Sequence, residues 1–349
     1  MRRASSLIAV GCTIILILGL CLSVGTAHAA KYAWKLALEE IQGSVQDTWA
    51  QEFKRRIEEK SNGEVEIIVY PYGTLGTGFG DIAEATQNGI LEFAFTSPAY
   101  IAPIIPEVRV FSLHYLWSDN MQANKDVMAN SGVIYGLLGE QYEKKNLKLM
   151  TLFTEGWQVW TTNKPIRTPA DMKGVKFRVM SDPILIEDYR AYGANPVQIA
   201  YSEIYSALQL GMIDAQVQPV FANEEMKFYE QQKYLIWAQQ VPYITSVSAN
   251  AQFFKSLPKK YQDVIMDTCR EMVGYIFDVQ EKFNTERLDI IKKKKPSIQT
   301  IYLTKEERAA FEKLARPVWN KYIEMAGENG RQILEQLVKD IEEAEKKHK

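Results

Sequence analysis

The 349-residue chain has little cysteine and little histidine, and both shortages exclude kinds of site. Of its three cysteines, Cys12 and Cys21 lie in the first 29 residues and only Cys269 lies beyond them. A framework of disulfides is therefore excluded. His114 is the only histidine in the body of the chain, so the sequence offers neither a histidine metal cluster nor a Ser/His/Asp triad. We expect no metal and no cofactor.

The chain also lacks a large excess of either positive or negative charge. The chain has 41 Lys and Arg against 43 Asp and Glu, a formal net charge of −2. Without Arg2 and Arg3 the value changes from −2 to −4. Such a mild charge predicts binding neither to nucleic acid nor to a membrane surface. No second long apolar run follows residue 22, so we expect a soluble chain.

The first 29 residues have the pattern of an export signal. Arg2 and Arg3 precede a nearly continuous apolar run over residues 7–22, and residues 27–29 (AHA) fit a small-x-small cleavage site. A membrane anchor is the alternative, but the run is short for a span of about 20 residues. We predict a signal peptide over residues 1–29, cleavage near Ala29 and export to the periplasm.

Two segments alternate strand and helix patterns. Over residues 34–95 the order is βαβαβ, with a helix that carries Trp49, Phe53 and Ile57 at a spacing of four. A second unit runs from residue 149 to 219. This alternation predicts α/β lobes with mainly parallel sheets.

The last third is expected to be helical, over residues 258–295 and 304–347, since Thr304 starts a capping-box pattern. We therefore predict an α/β, two-lobed clam-shell with long C-terminal helices. Residues 30–153 would form lobe I and residues 154–245 lobe II. Residues 246–349 would complete both lobes and brace the hinge.

Arg178 lies inside an otherwise apolar strand pattern that includes Val175, Phe177 and Val179. A guanidinium group at such a place needs an anion, and its planar fork suits bidentate binding of a carboxylate or sulfonate. The alternative is a structural salt bridge to an internal Asp or Glu. We predict that Arg178 binds an anionic ligand.

Several segments around this strand resemble a known family. They are residues 70–76 (YPYGTLG), 88–94 (NGILEFA) and 163–174 (NKPIRTPADMKG), in matching order and spacing. The chain is similar over residues 32–330 to the solute-binding proteins of tripartite ATP-independent periplasmic (TRAP) transporters, the dicarboxylate-binding-protein-like (DctP) family.

The resemblance implies a non-catalytic, two-lobed receptor. An arginine at the place of Arg178 clamps the anionic group of an organic acid in that family. The resemblance also implies delivery of the ligand to the small and large permease subunits in the membrane. Uptake would then be coupled to an ion gradient instead of ATP.

Two departures from the family bear on the ligand. Gln158 stands where many members have a second arginine, and Gln218 stands where an asparagine commonly contacts the ligand. One cation fewer argues against a dicarboxylate, whose second carboxylate would be buried without a partner. The two glutamines would offer neutral donors and acceptors instead.

Glu39 and Glu40 follow the first predicted strand, at a turn that faces the cleft in this family. A carboxylate there accepts hydrogen bonds from a hydroxyl or ammonium group and repels a second anion. Because neighbours on a strand face opposite ways, we expect one of the two to point to solvent.

These residues predict a small organic monoanion with a polar far end. The first choice is a C2–C3 hydroxy-sulfonate such as isethionate or a hydroxy or keto acid, and the amino-sulfonate taurine also fits. A C4-dicarboxylate is an alternative. An aromatic acid is another, in a pocket lined by Trp157, Trp160, Tyr100 and Phe221.

Two other functions compete with uptake. A secreted hydrolase would use Glu39 or Glu40 with Asp182, as a pair of carboxyl groups about 5 to 9.5 Å apart. A receptor of the same fold would instead pass its signal to a membrane sensor. The absence of a nucleophile motif favours the non-catalytic receptor.

Overall fold

The computed structural model describes residues 30–75 and 78–349, so the predicted signal peptide lies outside the described residues. In these ranges eleven strands form two sheets. The strands are β1 (Tyr32–Ala37), β2 (Val65–Tyr70), β3 (Phe93–Phe95), β4 (Leu147–Trp157), β5 (Val159–Thr162), β6 (Lys176–Val179), β7 (Asn195–Gln198), β8 (Ala215–Gln218), β9 (Tyr234–Trp237), β10 (Pro242–Asn250) and β11 (Gln299–Tyr302).

Helices cover the sheets and form most of the C-terminal third. The α-helices are α1 (Val45–Lys60), α2 (Phe79–Gln87), α3 (Pro98–Ile101), α4 (Met121–Asn130), α5 (Gly139–Lys144), α6 (Pro183–Ala191), α7 (Ile204–Gln209), α8 (Val220–Glu225), α9 (Ala251–Ser256), α10 (Lys259–Lys294), α11 (Lys305–Ala315) and α12 (Val318–Lys347). Short 3-10 helices span Pro106–Ser112, Pro169–Met172, Tyr201–Glu203 and Phe228–Gln231, and a π-helical turn spans Ile134–Leu138.

Each sheet is the centre of one lobe, which confirms the predicted two-lobed α/β fold. The first sheet has the order β2-β1-β3-β10-β4, with β1 parallel to β2 and β3 and with β10 antiparallel to β3 and β4. The second has the order β11-β9-β5-β8-β6-β7, with β6 parallel to β7 and β8. The predicted parallel unit around Arg178 is thus present.

The chain crosses between the sheets three times, from β4 to β5, from β9 to β10 and, through α9 and α10, from β10 to β11, and the first two crossings are adjacent. Gln158 separates β4 of the first sheet from β5 of the second, and the segment before Pro242 connects β9 back to β10. The two crossings are joined, because the backbone N–H of Gln158 donates to the carbonyl of Val241 at 3.2 Å. We call this pair of crossings the hinge segment.

The C-terminal helices contact both lobes. Helix α10 packs against α1 and β4 of the first lobe and against α8 of the second. Helices α11 and α12 both pack against α6. Within the described ranges, no helix has the length and apolar character needed to cross a bilayer.

Local signals explain several helix ends. Helix α1 begins at Val45, where the Ser44 side chain caps it by accepting the backbone N–H of Asp47 at 3.1 Å. The capping box at Thr304 is confirmed. A single helix over residues 304–347 was wrong, since Pro317 interrupts it and separates α11 from α12.

Candidate functional site

The site is a small space between the two lobes, which we call the cleft cavity. Its volume is about 340 Å³, including the part that is open to solvent. Both lobes contribute, since Glu39 and Glu40 follow β1 of the first sheet and Gln218 ends β8 of the second. The lining residues are Glu39, Glu40, Phe79, Tyr100, Glu155, Tyr201, Gln218, Pro219, Phe221, Ala222 and Tyr243.

Arg178 on β6 is a buried cation beside this cavity, with 1% of its surface exposed. Its Nε donates to the carbonyl of Ile199 at 2.9 Å, and its Nη1 has no hydrogen-bond partner. Burial lowers the pKa of Arg178, and the neighbouring hydroxyl group of Tyr100 has the largest effect in the opposite direction. Within the described residues it forms no ion pair, so the alternative of an internal salt bridge was wrong. The guanidinium group is therefore available to an external anion.

Glu39 is almost fully buried, with 3% of its surface exposed. Its carboxylate accepts the backbone N–H of Ser97 at 3.0 Å and also the Ser97 hydroxyl group. Burial raises the pKa of Glu39 to about 7, although the two Ser97 hydrogen bonds act in the opposite direction. The group consequently changes charge near neutral pH.

Glu40 and Glu155 form a second acidic element of the cavity. The backbone N–H of Gln46 donates to Glu40 at 3.1 Å, and the Gln46 side-chain amide donates to Glu155 Oε1 at 3.0 Å. Burial raises the pKa of both carboxyl groups, and the neighbouring charge of Glu40 raises that of Glu155 further. Glu39 is buried and Glu40 is half-buried, and both line the cleft cavity. Because β1 ends at Ala37, strand alternation no longer determines where these side chains lie.

Glu225 extends the acidic side of the site from the second lobe, at the end of α8. Burial, followed by the charge of Glu40, raises its pKa to about 8, while Arg287 at 3.8 Å opposes the shift. Sequence reasoning missed both Glu225 and Glu155. The signal for Glu155 was available, because it is an acidic residue inside the largely apolar strand β4, as Arg178 is a basic residue inside β6.

The other predicted ligand residues are distributed over two spaces. Tyr100 and Gln218 line the cleft cavity, and burial raises the pKa of Tyr100 to about 12, so its hydroxyl stays a neutral donor. Gln158 lines a neighbouring space of about 310 Å³ that shares Tyr243 with the cleft cavity. Trp157 packs half-buried against the core of the first lobe, and the structure brings it to neither space.

The carboxyl pair of a hydrolase is not assembled. Asp182 is fully buried and caps α6 by accepting the backbone N–H of Ile184 at 2.9 Å. It also lies 3.5 Å from the Arg109 guanidinium and does not line the cleft cavity. Across the described part of the chain, no group of three or more His, Cys, Asp or Glu side chains has an arrangement that could hold a metal ion.

Comparison with known proteins gives one consistent result. Residues 38–325 match the family described as bacterial extracellular solute-binding protein, family 7. The ectoine/5-hydroxyectoine-binding periplasmic protein UehA of Ruegeria pomeroyi is 36% identical over 93% of this chain and 94% of its own length. The ectoine-binding periplasmic protein TeaA of Halomonas elongata is 33% identical over 88% of this chain and 89% of its own length.

Solved structures agree. The periplasmic ectoine-binding protein of the TeaABC TRAP transporter from Halomonas elongata superposes with a TM-score of 0.85 at 32% identity, over 89% of this chain and 99% of that protein. A TRAP periplasmic solute-binding protein from Marinobacter aquaeolei, in an apo open form, gives a TM-score of 0.84 at 37% identity, over 88% and 99%.

Proposed function

The chain belongs to the bacterial extracellular solute-binding proteins of family 7, the periplasmic receptors of TRAP transporters, and we propose that its ligand is a small zwitterion. This ligand carries one carboxylate and one delocalised cation. Ectoine and 5-hydroxyectoine are the leading candidates.

The imbalance of charge at the cleft carries the proposal. Four carboxyl groups, those of Glu39, Glu40, Glu155 and Glu225, lie at or beside the cavity, and Arg178 lies next to Tyr100, which lines it. A ligand that is only an anion satisfies Arg178 but repels these groups whenever they are ionised. A zwitterion meets both signs of charge, which supports it over isethionate, the first choice from the sequence.

Aromatic rings support the same class of ligand. They come from both lobes and line the cavity together with the carboxyl groups: Phe79, Tyr100, Tyr201, Phe221 and Tyr243. A flat, delocalised cation is attracted to the faces of such rings as well as to carboxylates. Ectoine is a cyclic amidine with a carboxylate, so it has this shape and charge, and the names of two relatives specify it as their ligand.

The binding mechanism assigns a task to each group. The Arg178 guanidinium binds the ligand carboxylate, with the Tyr100 hydroxyl beside it, while Glu39 and Glu40 bind the cationic part. Gln218 supplies neutral hydrogen bonds from the second lobe. Since the contacts come from both lobes, the bound ligand stabilises the closed form, which the permease subunits receive for uptake driven by an ion gradient. No bond of the ligand is broken.

A thermal-shift screen followed by titration calorimetry tests the proposal. The panel is ectoine, 5-hydroxyectoine, taurine, isethionate, lactate and malate. A ligand at 100 times its dissociation constant adds about 2.7 kcal/mol to the free energy of unfolding. We expect the largest shift with ectoine or its hydroxylated form. A larger shift with isethionate, lactate or malate than with every zwitterion would overturn the proposed ligand class.

A further inference from the structure

Glu155 has a buried oxygen atom to which no group of the described residues donates a hydrogen bond. The residue is fully buried, and its Oε1 accepts a hydrogen bond from the Gln46 side chain at 3.0 Å. Its Oε2 is also buried and has no hydrogen-bond partner, although the side chain lines the cleft cavity. A carboxyl oxygen in this position is costly unless a donor arrives from outside or a proton occupies it.

The groups around Glu155 exclude an internal cation. Among the described residues, no Lys, Arg or His side chain pairs with it. The elements packed around it present Glu39 and Glu40 after β1, Gln46 on α1, Tyr243 on β10, Glu225 on α8, and Gln280 and Asn284 on α10. The Arg287 side chain lies by Glu225 and Glu224. Glu155 therefore faces carboxyl groups and neutral groups alone.

Gln46 holds Glu40 and Glu155 next to each other. Its backbone N–H donates to Glu40, its side-chain amide donates to Glu155, and its side-chain carbonyl accepts the backbone N–H of Glu39 at 2.9 Å. Two adjacent carboxyl groups without a cation cannot both be ionised at low cost, so one of them keeps a proton. Burial acts in the same direction, since it raises the pKa of both groups.

Building on the proposed function, we propose that Glu40 and Glu155 share one proton in the empty cleft and that the cationic part of the ligand replaces it. On binding, the O–H bond of the shared carboxyl group breaks and the proton passes to the buffer. The resulting carboxylate pairs with the ligand cation. Glu155 is thereby a specificity-determining residue, because a ligand without a cation displaces no proton and leaves Oε2 without an ionic partner.

Infrared spectroscopy of the whole mature protein tests the shared proton directly. A protonated carboxyl group has a C=O stretching band that is absent from a carboxylate. Glu39, Glu225 and the fully buried Asp188 also have raised pKa values and contribute to this band, so the shared proton is measured as a difference. We expect the band at pH 7 in the free protein to be weaker in Glu155→Gln, a neutral variant of the same shape, than in the wild type. Glu59→Gln is the control, because that side chain is exposed on α1 and lies outside the cleft.

Two probes then test the exchange. Acetamidinium chloride carries the cation without a carboxylate, and ectoine carries both. Either probe should remove the part of the band that depends on Glu155 in the wild type. Calorimetry in two buffers of different ionisation enthalpy should show about one proton more released per bound ectoine in the wild type than in Glu155→Gln.

The outcomes separate this inference from the proposed ligand class. A band of equal intensity in the free wild type and in Glu155→Gln overturns the shared proton, whatever the ligand. If the part of the band that depends on Glu155 persists while calorimetry shows ectoine bound, the exchange is overturned and the ligand class is left intact. Loss of that part with acetamidinium, without any binding of ectoine, supports the cation site and overturns the proposed ligand class instead.

Discussion

The Glu39 carboxylate receives both hydrogen-bond donors of Ser97, the backbone N–H at 3.0 Å and the side-chain hydroxyl. Glu39 follows the first strand, and Ser97 precedes helix α3, so the contact joins two separate elements of the first lobe. These hydrogen bonds favour the ionised form of a group whose burial favours the neutral form. Ser97 therefore helps to decide the charge of the cleft.

Replacement of this serine should have a pH-dependent cost. In Ser97→Ala the ionised Glu39 loses one charge-assisted donor, and we expect a loss of about 1–3 kcal/mol in the free energy of unfolding at pH 8. The loss should be smaller at pH 5, where Glu39 is protonated. Urea denaturation at both pH values measures this. Ser248→Ala, which removes a neutral hydrogen bond to Thr96, is the matched control, and equal losses at both pH values would contradict the role of Ser97.

Glu39 itself should make the free protein less stable as pH rises. Its pKa is about 7 in the folded chain against 4.5 for an ordinary glutamate, so the folded state binds more protons between these values. The free energy of unfolding consequently falls as pH rises from 4.5 to 7, by about 3 kcal/mol for this group. Glu39→Gln should remove that part of the pH dependence in urea denaturation. A profile parallel to the wild type would show that Glu39 is ionised throughout.

The affinity for a zwitterion should increase with pH. A cationic group binds ionised carboxylates, and the pKa values of Glu39 and Glu225 are raised to about 7 and about 8. Protons therefore compete with the ligand below these values, by up to about tenfold in affinity per pH unit for each proton displaced. Calorimetry from pH 5 to pH 8 should show ectoine binding more tightly at higher pH. Isethionate, which has no cation, should show the opposite trend.

Arg178→Met should remove binding and keep the fold. Loss of a buried, charge-assisted partner costs about 2 kcal/mol or more, which corresponds to at least about 30-fold in the dissociation constant. The methionine is apolar and fills part of the same space, so the melting temperature of the free protein should change little. Arg190→Met, on the exposed side of α6, is the control. Undiminished ectoine affinity in Arg178→Met would refute its role as the anion clamp.

Gly156→Ala should disturb the contact between the end of strand β4 and the long helix α10. Gly156 has a φ of +117°, and an added Cβ would lie 2.4 Å from Asn284 Nδ2. Asn284 joins the lobes, because it donates to the carbonyl of Glu155 at 2.8 Å and accepts the backbone N–H of Phe221 at 3.2 Å.

We expect Gly156→Ala to lose more than the roughly 1–3 kcal/mol of backbone strain alone. Gly174→Ala is the matched control, since Gly174 also has a positive φ, +74°, but nothing within 4 Å of an added Cβ. Thermal denaturation of both variants separates the cost of backbone strain, which both share, from the cost of the steric clash with Asn284, which only Gly156→Ala has. Equal losses would mean that Asn284 moves away without cost.

Local patterns were enough for much of the fold and for the choice of Arg178 as the predicted anion-binding residue. Arg178 was recognisable because a charged side chain interrupts an apolar strand, and the Thr304 capping box was recognisable because its residues are neighbours in the chain. Strand alternation could not show that Glu39 and Glu40 both line the cleft cavity, since the strand ends at Ala37. The sequence also could not place Trp157, which packs against the core of the first lobe, because an aromatic side chain fits a hydrophobic core and a ligand pocket equally well.

By itself the sequence determined the α/β pattern and the family, because each depends on residues close together in the chain, and it indicated Arg178 as the predicted anion-binding residue. Only the tertiary structure decided which other charged side chains lie at the cleft, and these are acidic. Glu155 and Glu225 reach the same cavity region as Glu40 from distant segments, and burial among neighbours of like charge raises their pKa values. Desolvation and charge repulsion depend on distances in three dimensions, which the sequence does not give. The acidic groups gathered at the cleft are the reason why the proposed ligand is a zwitterion instead of a monoanion.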